Sequence, residues 1–310
     1  MSPLQPLSIA VLAGGRSAER EVSLNTGAQV VAALEERGHR VTRIDSADTD
    51  FLERLRSGGY DVVFICLHGR FGEDGTVQGA LELLGVPYVG SGVLASALAM
   101  DKVMSKRFFI AAEIPTPAFE VVVSADEATC DGIVAALGEK LVVKPASEGS
   151  SVGMSIVHDA GELPAALECA LEHDDTVLVE AFVAGTEVTV GVIGNDEPRA
   201  LPTLEVVPVH EFYDYESKYV PGMSSHIIPA RVAEGARDEC QRIALEAHRV
   251  LGCRGMSRAD FIVTADGRPL LLEVNTIPGM TRTSLLPDAA RAAGIAFPDL
   301  CERLVALALE

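Results

Sequence analysis

The sequence contains no tryptophan, few aromatic residues and no long hydrophobic run. Aromatic residues make up 5% of the 310 residues, so Ala, Val and Leu must fill most of the core. No apolar stretch approaches the roughly 20 residues that a membrane-spanning helix needs. The early apolar stretch, residues 7–13, is not preceded by Lys or Arg and is followed by Gly-Gly-Arg, which argues against a signal peptide. These absences predict a soluble, cytoplasmic protein with no membrane partner.

Positive charge is also scarce, since 25 Lys and Arg stand against 45 Asp and Glu, for a net charge of −20. A nucleic-acid partner would need a basic stripe to meet its phosphates, so this class of function is not expected. The six cysteines form neither a CxxC pair nor a Cys/His cluster with zinc spacing. Most of them lie in apolar surroundings, and we expect buried free thiols in a reducing compartment.

Strand and helix patterns alternate over the first hundred residues, which predicts a parallel α/β sheet. Ligands of such sheets lie at the carboxyl ends of the strands, where Gly14-Gly15 and His68-Gly69 fall. A helix is expected from about residue 93 to residue 112, and strands and helices that suggest an antiparallel sheet follow. The predicted fold is therefore mixed, α/β and α+β, in several domains. The predicted boundaries are 1–99 for the N-terminal α/β domain, 100–184 for a central lobe and 185–310 for a C-terminal lobe.

The richest stretch for chemistry is the apolar run from Leu270 that alternates into Glu273 and Asn275. Side chains two apart on a strand point the same way, so a carboxylate and an amide leave one face together. Asp260 ends the preceding apolar stretch, on the other strand of a short hairpin. Hard oxygen ligands of this kind suit Mg²⁺ that is also bound to nucleotide phosphates. A structural ion pair is the alternative, and we favour the metal.

A small-residue loop, Glu148 to Gly153, follows the strand that ends in Lys144. Gly and Ser let backbone N–H groups approach a phosphate, and Lys144 and Lys102 would each add a point charge. A tight turn is the default for a Gly-Ser loop. The lysine before it and the metal hairpin after it favour phosphate binding.

Several other residues allow two interpretations from the sequence. Glu180 and Glu187 lie on a connector that could bind a nucleoside or could be a solvated strand edge, and neither is favoured. Glu19 could serve the dipole of the first helix or bind a substrate ammonium. His68 could be a satisfied core histidine or touch the same substrate. The polar, aromatic segment 210–229 has the length of a binding loop or lid.

Taken together, the motifs resemble those of the D-alanine–D-alanine ligases, a family of the ATP-grasp superfamily. They occur in order across nearly the whole chain, and their order is more specific than any one of them. The motifs are Ala13 to Ser23, Leu67-His68-Gly69, Met100-Asp101-Lys102, Val143-Lys144-Pro145, Glu148 to Gly153, Tyr213 to Tyr219 and Glu273 to Met280.

The resemblance implies a two-lobed ATP-grasp fold with ATP between the lobes, two Mg²⁺ or Mn²⁺ ions, and a monovalent cation as a candidate addition. D-alanine and ATP would be the substrates, and a homodimer is expected. The implied nucleotide contacts are Lys102, Lys144, Lys218, Glu180, Phe182, Val183 and Glu187, and the implied metal ligands are Asp260, Glu273 and Asn275. The implied substrate and catalytic residues are Glu19, His68, Ser150, Tyr219, Arg258, Gly279, Ser284 and Leu285.

Three other functions compete with this one. Another ATP-grasp ligase, joining a carboxylate to an amine or a hydroxyl, would differ in the lid and in the pocket at Ser284 and Leu285. A dinucleotide-binding oxidoreductase is a poor fit, because residues 12–17 lack the GxGxxG spacing and the metal set would be idle. A non-catalytic nucleotide-binding module would bind ATP without turnover, which the complete metal set argues against. Tyr219 in the lid favours a dipeptide over a depsipeptide product.

Overall fold

The computed structural model describes residues 4–17, 19–208 and 224–310. The first hundred residues form a parallel sheet of order β2-β1-β3-β4. β1 and β3 are almost fully buried apolar runs, as expected for parallel strands covered on both faces. The elements are β1 Ser8–Ala13, α1 Arg20–Glu36, β2 Arg40–Asp45, α2 Phe51–Ser57, β3 Val62–Ile65, α3 Thr76–Leu84 and β4 Tyr88–Val89. The predicted parallel α/β fold is confirmed.

The single helix expected over residues 93–112 was wrong, because the structure has two helices, α4 Val93–Met100 and α5 Lys102–Ala111. Asp101 between them is extended, and its carboxylate accepts a hydrogen bond from the Met104 N–H at 2.9 Å. This N-cap satisfies a donor that would otherwise be orphaned at the start of α5. The break places Lys102 in the first turn of the new helix.

The central part is an antiparallel sheet of order β5-β8-β6-β7 with helices against it. Its core is a separate cluster that includes Leu141, Leu167 and Val179. The elements are β5 Phe119–Val122, α6 Glu127–Leu137, β6 Leu141–Pro145, β7 Ser155–Val157, α7 Leu163–Leu171 and β8 Val177–Ala181.

The C-terminal part is a second antiparallel sheet of order β12-β11-β9-β13-β14, with the short β10 paired to β9. A strand expected at 200–207 is instead two short strands, separated at Pro202, which has no N–H to donate. The elements are β9 Thr186–Ile193, β10 Arg199–Ala200, β11 Leu204–Pro208, β12 Ser224–Ile227, α8 Glu234–Val250, β13 Met256–Val263, β14 Pro269–Asn275, α9 Leu285–Ala292 and α10 Phe297–Ala308.

Two segments pack with a part of the molecule that is distant in sequence. Phe109 of α5 and the following Ile114 lie in the core of the C-terminal sheet with Phe261. Leu300 and Leu304 of α10 lie in the core of the N-terminal sheet. The domain boundaries predicted at residues 99 and 184 stay predictions. Within the described ranges, no helix has both the length and the apolar character required to cross a bilayer.

Candidate active site

A cleft of about 1220 Å³ is lined by residues of the two antiparallel sheets and by residues that follow strands β1 and β3 of the N-terminal sheet. The carboxyl end of the N-terminal sheet, the loop after β6 and the β13–β14 hairpin meet there. Every predicted site residue within the described ranges lines this cleft: Glu19, His68, Lys102, Lys144, Ser150, Glu180, Phe182, Val183, Glu187, Arg258, Asp260, Glu273, Asn275, Gly279, Ser284 and Leu285. Lys218 and Tyr219 lie outside the described residues.

The predicted metal ligands lie on the paired strands β13 and β14, where Asp260 is opposite Glu273 and Arg258 is opposite Asn275. Asp260 is held from three sides. It accepts hydrogen bonds from Thr189 Oγ1 at 2.6 Å, from Asn275 Nδ2 at 3.1 Å and from the Arg258 guanidinium at 2.7 to 3.3 Å. The carboxylate therefore has a fixed orientation toward the cleft.

The donor chemistry of this hairpin fits a divalent cation that prefers oxygen. Asp260 and Glu273 supply carboxylate oxygens, and Asn275 keeps an amide oxygen as an acceptor while its NH₂ group donates to Asp260. Among the described residues, no three His, Cys, Asp or Glu side chains are grouped so that they could hold a metal ion. Oxygens of a bound nucleotide or of water would therefore have to complete the coordination. This is the usual arrangement for Mg²⁺, which proteins bind through a few carboxylates together with substrate phosphates.

Lysine side chains and a strained loop form the next part of the cleft. Lys102 Nζ donates to the backbone carbonyl of Glu148 at 2.6 Å and lies 4.0 Å from a carboxylate oxygen of Glu273. Ser150 and Ser151 have φ of 50° and 61°, a left-handed conformation that is uncommon for residues with a side chain. Consecutive residues of this kind turn backbone N–H groups into a concave, anion-binding surface, which supports the phosphate interpretation over a plain tight turn.

At the far end of the cleft, Glu180 forms ion pairs with two lysines, Lys106 and Lys144. Burial favours the neutral form of Glu180, but the two cations outweigh it and hold its pKa below the ordinary value. Burial also lowers the pKa of Lys106, whereas for Lys144 the neighbouring carboxylates outweigh burial and raise the pKa. Glu180 is therefore an ionised, buried side chain and not a solvated strand edge.

Glu19 lies at the start of α1, but its side chain makes no capping hydrogen bond to that helix. Its carboxylate instead accepts a hydrogen bond from Ser150 Oγ. Gly69 and Gly149 leave space for this carboxylate. A Cβ at Gly69 would lie 2.8 Å from Glu19 Oε2, and a Cβ at Gly149 would lie 3.2 Å from it. The buried Glu19 thus joins the N-terminal domain to the loop after β6, and the carboxylate suits a substrate ammonium better than a helix cap.

Two titratable groups surround Gly69, the buried His68 and the half-buried Glu73. Burial lowers the pKa of His68, whose Nε2 is 3.4 Å from Thr26 Oγ1, so this ring is neutral. Glu73 accepts a hydrogen bond from the Gly69 N–H at 2.7 Å. Burial and the nearby carboxylate of Glu19 raise the pKa of Glu73 to about 8. Glu73 lines the cleft and was missed by the sequence analysis, because one acid in a polar loop gives no periodic signal.

The start of α9 also lines the cleft. Ser284 occupies the N-cap position of this helix, but its side chain makes no capping hydrogen bond. The Ser284 hydroxyl instead accepts a hydrogen bond from the Thr281 N–H at 3.1 Å and lies 2.7 Å from the Thr281 hydroxyl. The first N–H groups of a helix suit a carboxylate ligand. Gly279 approaches so closely that a Cβ there would lie 3.0 Å from Ser284 Oγ.

Lys106 and Thr189 were also not predicted from the sequence; they do not line the cleft but contact residues that do. A signal existed for Lys106, because it follows Val103 by three residues in the buried stripe of α5, and a lysine in an apolar stripe is unusual. Thr189 gave none, since threonine is common in strands. The expectation of buried free thiols is confirmed in that all six cysteines, each within the described ranges, are free and five are buried.

Comparison with known proteins agrees with this geometry. Two family profiles match, one described as the D-Ala D-Ala ligase N-terminus over residues 47–91 and one as the D-Ala D-Ala ligase C-terminus over residues 108–306. The chain is 51% identical to the D-alanine–D-alanine ligase of Pelotomaculum thermopropionicum, covering 98% of this chain and 97% of the relative. It is 53% identical to the protein of the same name from Syntrophotalea carbinolica, covering 98% and 96%.

Solved structures give the same result. The D-alanine–D-alanine ligase of Bacillus anthracis aligns with a TM-score of 0.86 and 36% identity, covering 98% of this chain and 97% of that one. The Bacillus anthracis enzyme in complex with ATP aligns with a TM-score of 0.85 and 33% identity over the same shares. The fold and the cleft therefore define an ATP-grasp enzyme. Within that class, the chain belongs to the D-alanine–D-alanine ligase family.

Proposed function

We propose that this protein ligates two molecules of D-alanine to D-alanyl-D-alanine, with conversion of ATP to ADP and phosphate, for the synthesis of peptidoglycan precursors. The observation that carries the proposal is the meeting in one cleft of the Glu19–Ser150 pair with the Asp260–Glu273 pair. An ammonium-binding carboxylate and a set of oxygen donors for a metal and phosphates are what an amino-acid-activating ligase needs. The names of the relatives supply the identity of the amino acid.

The first step activates the carboxylate of the first D-alanine. A carboxylate is a poor electrophile, and transfer of the γ-phosphoryl group of ATP to it forms an acyl phosphate with a good leaving group. Glu19 would hold the substrate ammonium, with His68 beside it, while Lys102 and Lys144 neutralise phosphate charge. Phosphoryl transfer depends mainly on such positioning and charge neutralisation. A divalent metal, when bound by Asp260, Glu273 and Asn275, supplies further charge neutralisation at the phosphates.

In the second step, the amine of the second D-alanine attacks the acyl phosphate, and phosphate leaves. The start of α9, at Ser284 and Leu285, would bind the carboxylate of this second substrate. The tetrahedral intermediate carries an oxyanion, which suits the Arg258 guanidinium and the backbone N–H of Gly279. Water would destroy the acyl phosphate, so a lid that contains Lys218 and Tyr219 would have a clear purpose.

The nucleotide would lie between the two lobes, with its base near Glu180, Phe182 and Val183 and its ribose near Glu187. Two ions, Mg²⁺ or Mn²⁺, are proposed, and a monovalent cation is a further candidate. We also propose a cytoplasmic location and a homodimer. Sedimentation of the purified chain would test the dimer, and a monomer at micromolar concentration would contradict it.

The first experiment measures phosphate release from ATP and Mg²⁺ with and without D-alanine, together with mass analysis of the product. Release that depends on D-alanine and yields the dipeptide supports the proposal. ATP binding without any D-alanine-dependent release would contradict the substrate assignment. L-alanine and D-lactate are the matched substrate controls, and efficient use of D-lactate at neutral pH would contradict the dipeptide specificity attributed to Tyr219.

A further inference from the structure

The buried lysine Lys106 has no part in the reaction as described above. Its side chain is fully buried, and it lies against the carboxylate of Glu180 and the hydroxyl of Thr116. Its ammonium is also 5.3 Å from the centre of the Phe119 ring. A buried ammonium is unfavourable unless it is paired and hydrogen-bonded. The contacts with Glu180 and Thr116 are therefore needed to stabilise the charge of Lys106.

The two lysines that contact Glu180 differ in their access to a ligand. Lys144 pairs with Oε2 of Glu180, keeps 11% of its side chain exposed and lines the cleft. Lys106 pairs with Oε1 and has no exposed surface. A bound phosphate can therefore attract Lys144 but cannot reach Lys106.

Nucleotide binding would therefore change the pairing of Glu180. If Lys144 turns to a phosphate, Glu180 loses one of its two cations while it remains buried, with a side chain that is 3% exposed. An unpaired buried carboxylate would take up a proton, and a protonated acid is a poor acceptor for an amino group. Lys106 remains in place to prevent this.

The oxygen of Glu180 that is left for a ligand is Oε2, because Oε1 is buried against the ammonium of Lys106. Oε2 is the oxygen that the cleft-lining Lys144 contacts, so it can accept a further donor when Lys144 turns to a phosphate. A carboxylate oxygen accepts from two directions. The exocyclic amine of a nucleotide base is a donor of the right kind for a cleft-lining carboxylate.

We infer that Lys106 is a positioning residue that keeps Glu180 ionised and oriented toward the amino group of the nucleotide base while Lys144 binds phosphate. Lys106 would thus set the preference for a 6-amino purine without touching the nucleotide. This inference rests on the proposed function, because it requires that the cleft binds ATP.

A second contact links this lysine to the metal hairpin. Thr116, which contacts Lys106, donates through its hydroxyl to the carbonyl of Leu271 at 2.7 Å, and the Leu271 N–H donates to Pro115 at 2.8 Å. Leu271 is on β14, two residues before Glu273. The base end of the cleft is thereby fixed relative to the metal end.

The test measures binding of ATP, of inosine triphosphate and of tripolyphosphate by calorimetry, each with Mg²⁺, to the wild-type protein and to Lys106→Met. Inosine triphosphate has a carbonyl in place of the 6-amino group, and tripolyphosphate has no base. We expect Lys106→Met to weaken ATP binding at least tenfold, to leave tripolyphosphate binding within twofold, and to remove most of the preference for ATP over inosine triphosphate. Lys106→Arg, which keeps the charge, should restore part of that preference.

Equal losses for all three ligands would overturn the inference, since they would indicate a merely structural role. An unchanged preference for ATP in a folded Lys106→Met protein would also overturn it. If Lys106→Met does not fold, Lys106→Gln gives the same test, because it removes the charge, keeps a donor for Glu180 and leaves the Glu180–Lys144 pair intact. Lys140→Met, at an exposed lysine, is the control. Failure of the wild-type protein to bind ATP would instead contradict the proposed function.

Discussion

Two ends of the same cleft each combine carboxylates with cations, but they do so in different ways. The metal end is the part of the cleft at the β13–β14 hairpin. There Asp260 pairs with Arg258, and 14% of the Asp260 side chain and 15% of the Arg258 side chain are exposed. At the base end, Glu180 is almost completely enclosed between Lys106 and Lys144. The metal end is open to exchange of partners, whereas the base end is enclosed by the protein.

The difference separates a carboxylate that can exchange its protein partner for a metal from one that the protein must keep paired. An open carboxylate can give up a protein cation for a metal at little cost, since water compensates during the exchange. An enclosed carboxylate that loses a partner is left as an uncompensated buried charge, which costs several kcal/mol. Substitutions at the metal end should therefore change turnover, and substitutions at the base end should also change stability.

The largest expected effect is at the metal end. Glu273→Gln keeps the size of the side chain and removes its charge, so we expect D-alanine-dependent phosphate release to fall by a factor on the order of 10² or more. The free energy of unfolding should change by less than about 1 kcal/mol, because Glu273 keeps 28% of its side chain exposed. Near-wild-type turnover would contradict the metal assignment.

The second expected effect is on stability at the base end. Glu180→Gln leaves Lys106 and Lys144 without their buried partner, and we expect a loss of about 3–5 kcal/mol in the free energy of unfolding, measured by urea denaturation. A loss as small as that of Glu273→Gln would remove the contrast between the two ends.

The pH dependence of that loss gives a sharper form of the comparison. Because the pKa of Glu180 lies below its ordinary value of 4.5, its ion pairs stabilise the protein fully above pH 4.5, and this stabilisation disappears as the pH falls through the lowered pKa. The difference in unfolding free energy between wild type and Glu180→Gln should be constant near neutral pH and should shrink below pH 4.5. A difference that grows on acidification would have the wrong sign.

A smaller effect is expected where Glu19 meets Ser150. Ser150→Ala removes a hydrogen bond to a charged group, which is typically worth about 1.5–3 kcal/mol. We expect the KM for D-alanine to rise about tenfold or more while the affinity for ATP changes little. An equal loss of ATP affinity would indicate that the substitution disturbs the phosphate loop instead.

The smallest effect serves as a control for both ends. Glu239 on α8 pairs with Arg242 at 2.7 Å at the surface, and 40% of its side chain is exposed. Because exposed pairs contribute about 0.2–1 kcal/mol, Glu239→Gln should leave turnover unchanged and should barely alter the urea midpoint. A larger shift would mean that charge removal by itself perturbs this acidic protein.

The geometry of the hairpin at the metal end could be predicted from the sequence because its information is local. The two-residue period of a strand placed Glu273 and Asn275 on one face, and the hairpin brought Asp260 opposite Glu273. The helix over residues 93–112 was predicted as continuous because the apolar pattern runs through Asp101, and the capping bond of that side chain decided otherwise. The pairing of Lys106 could not be predicted, because its partner, Glu180, is 74 residues further along the chain.

The sequence by itself determined the parallel and antiparallel patterns, the glycine-serine loop, the hairpin that carries Asp260, Glu273 and Asn275 and, through the order of its motifs, the family. These features depend on short-range periodicity, turn chemistry and composition. Tertiary structure alone decided that Glu19 bonds Ser150 rather than its own helix, and that α5 packs with the C-terminal sheet. It also decided that Glu180 is enclosed by two lysines. Ion pairs and core contacts between distant segments depend on how the chain is brought together, and no local pattern encodes that arrangement.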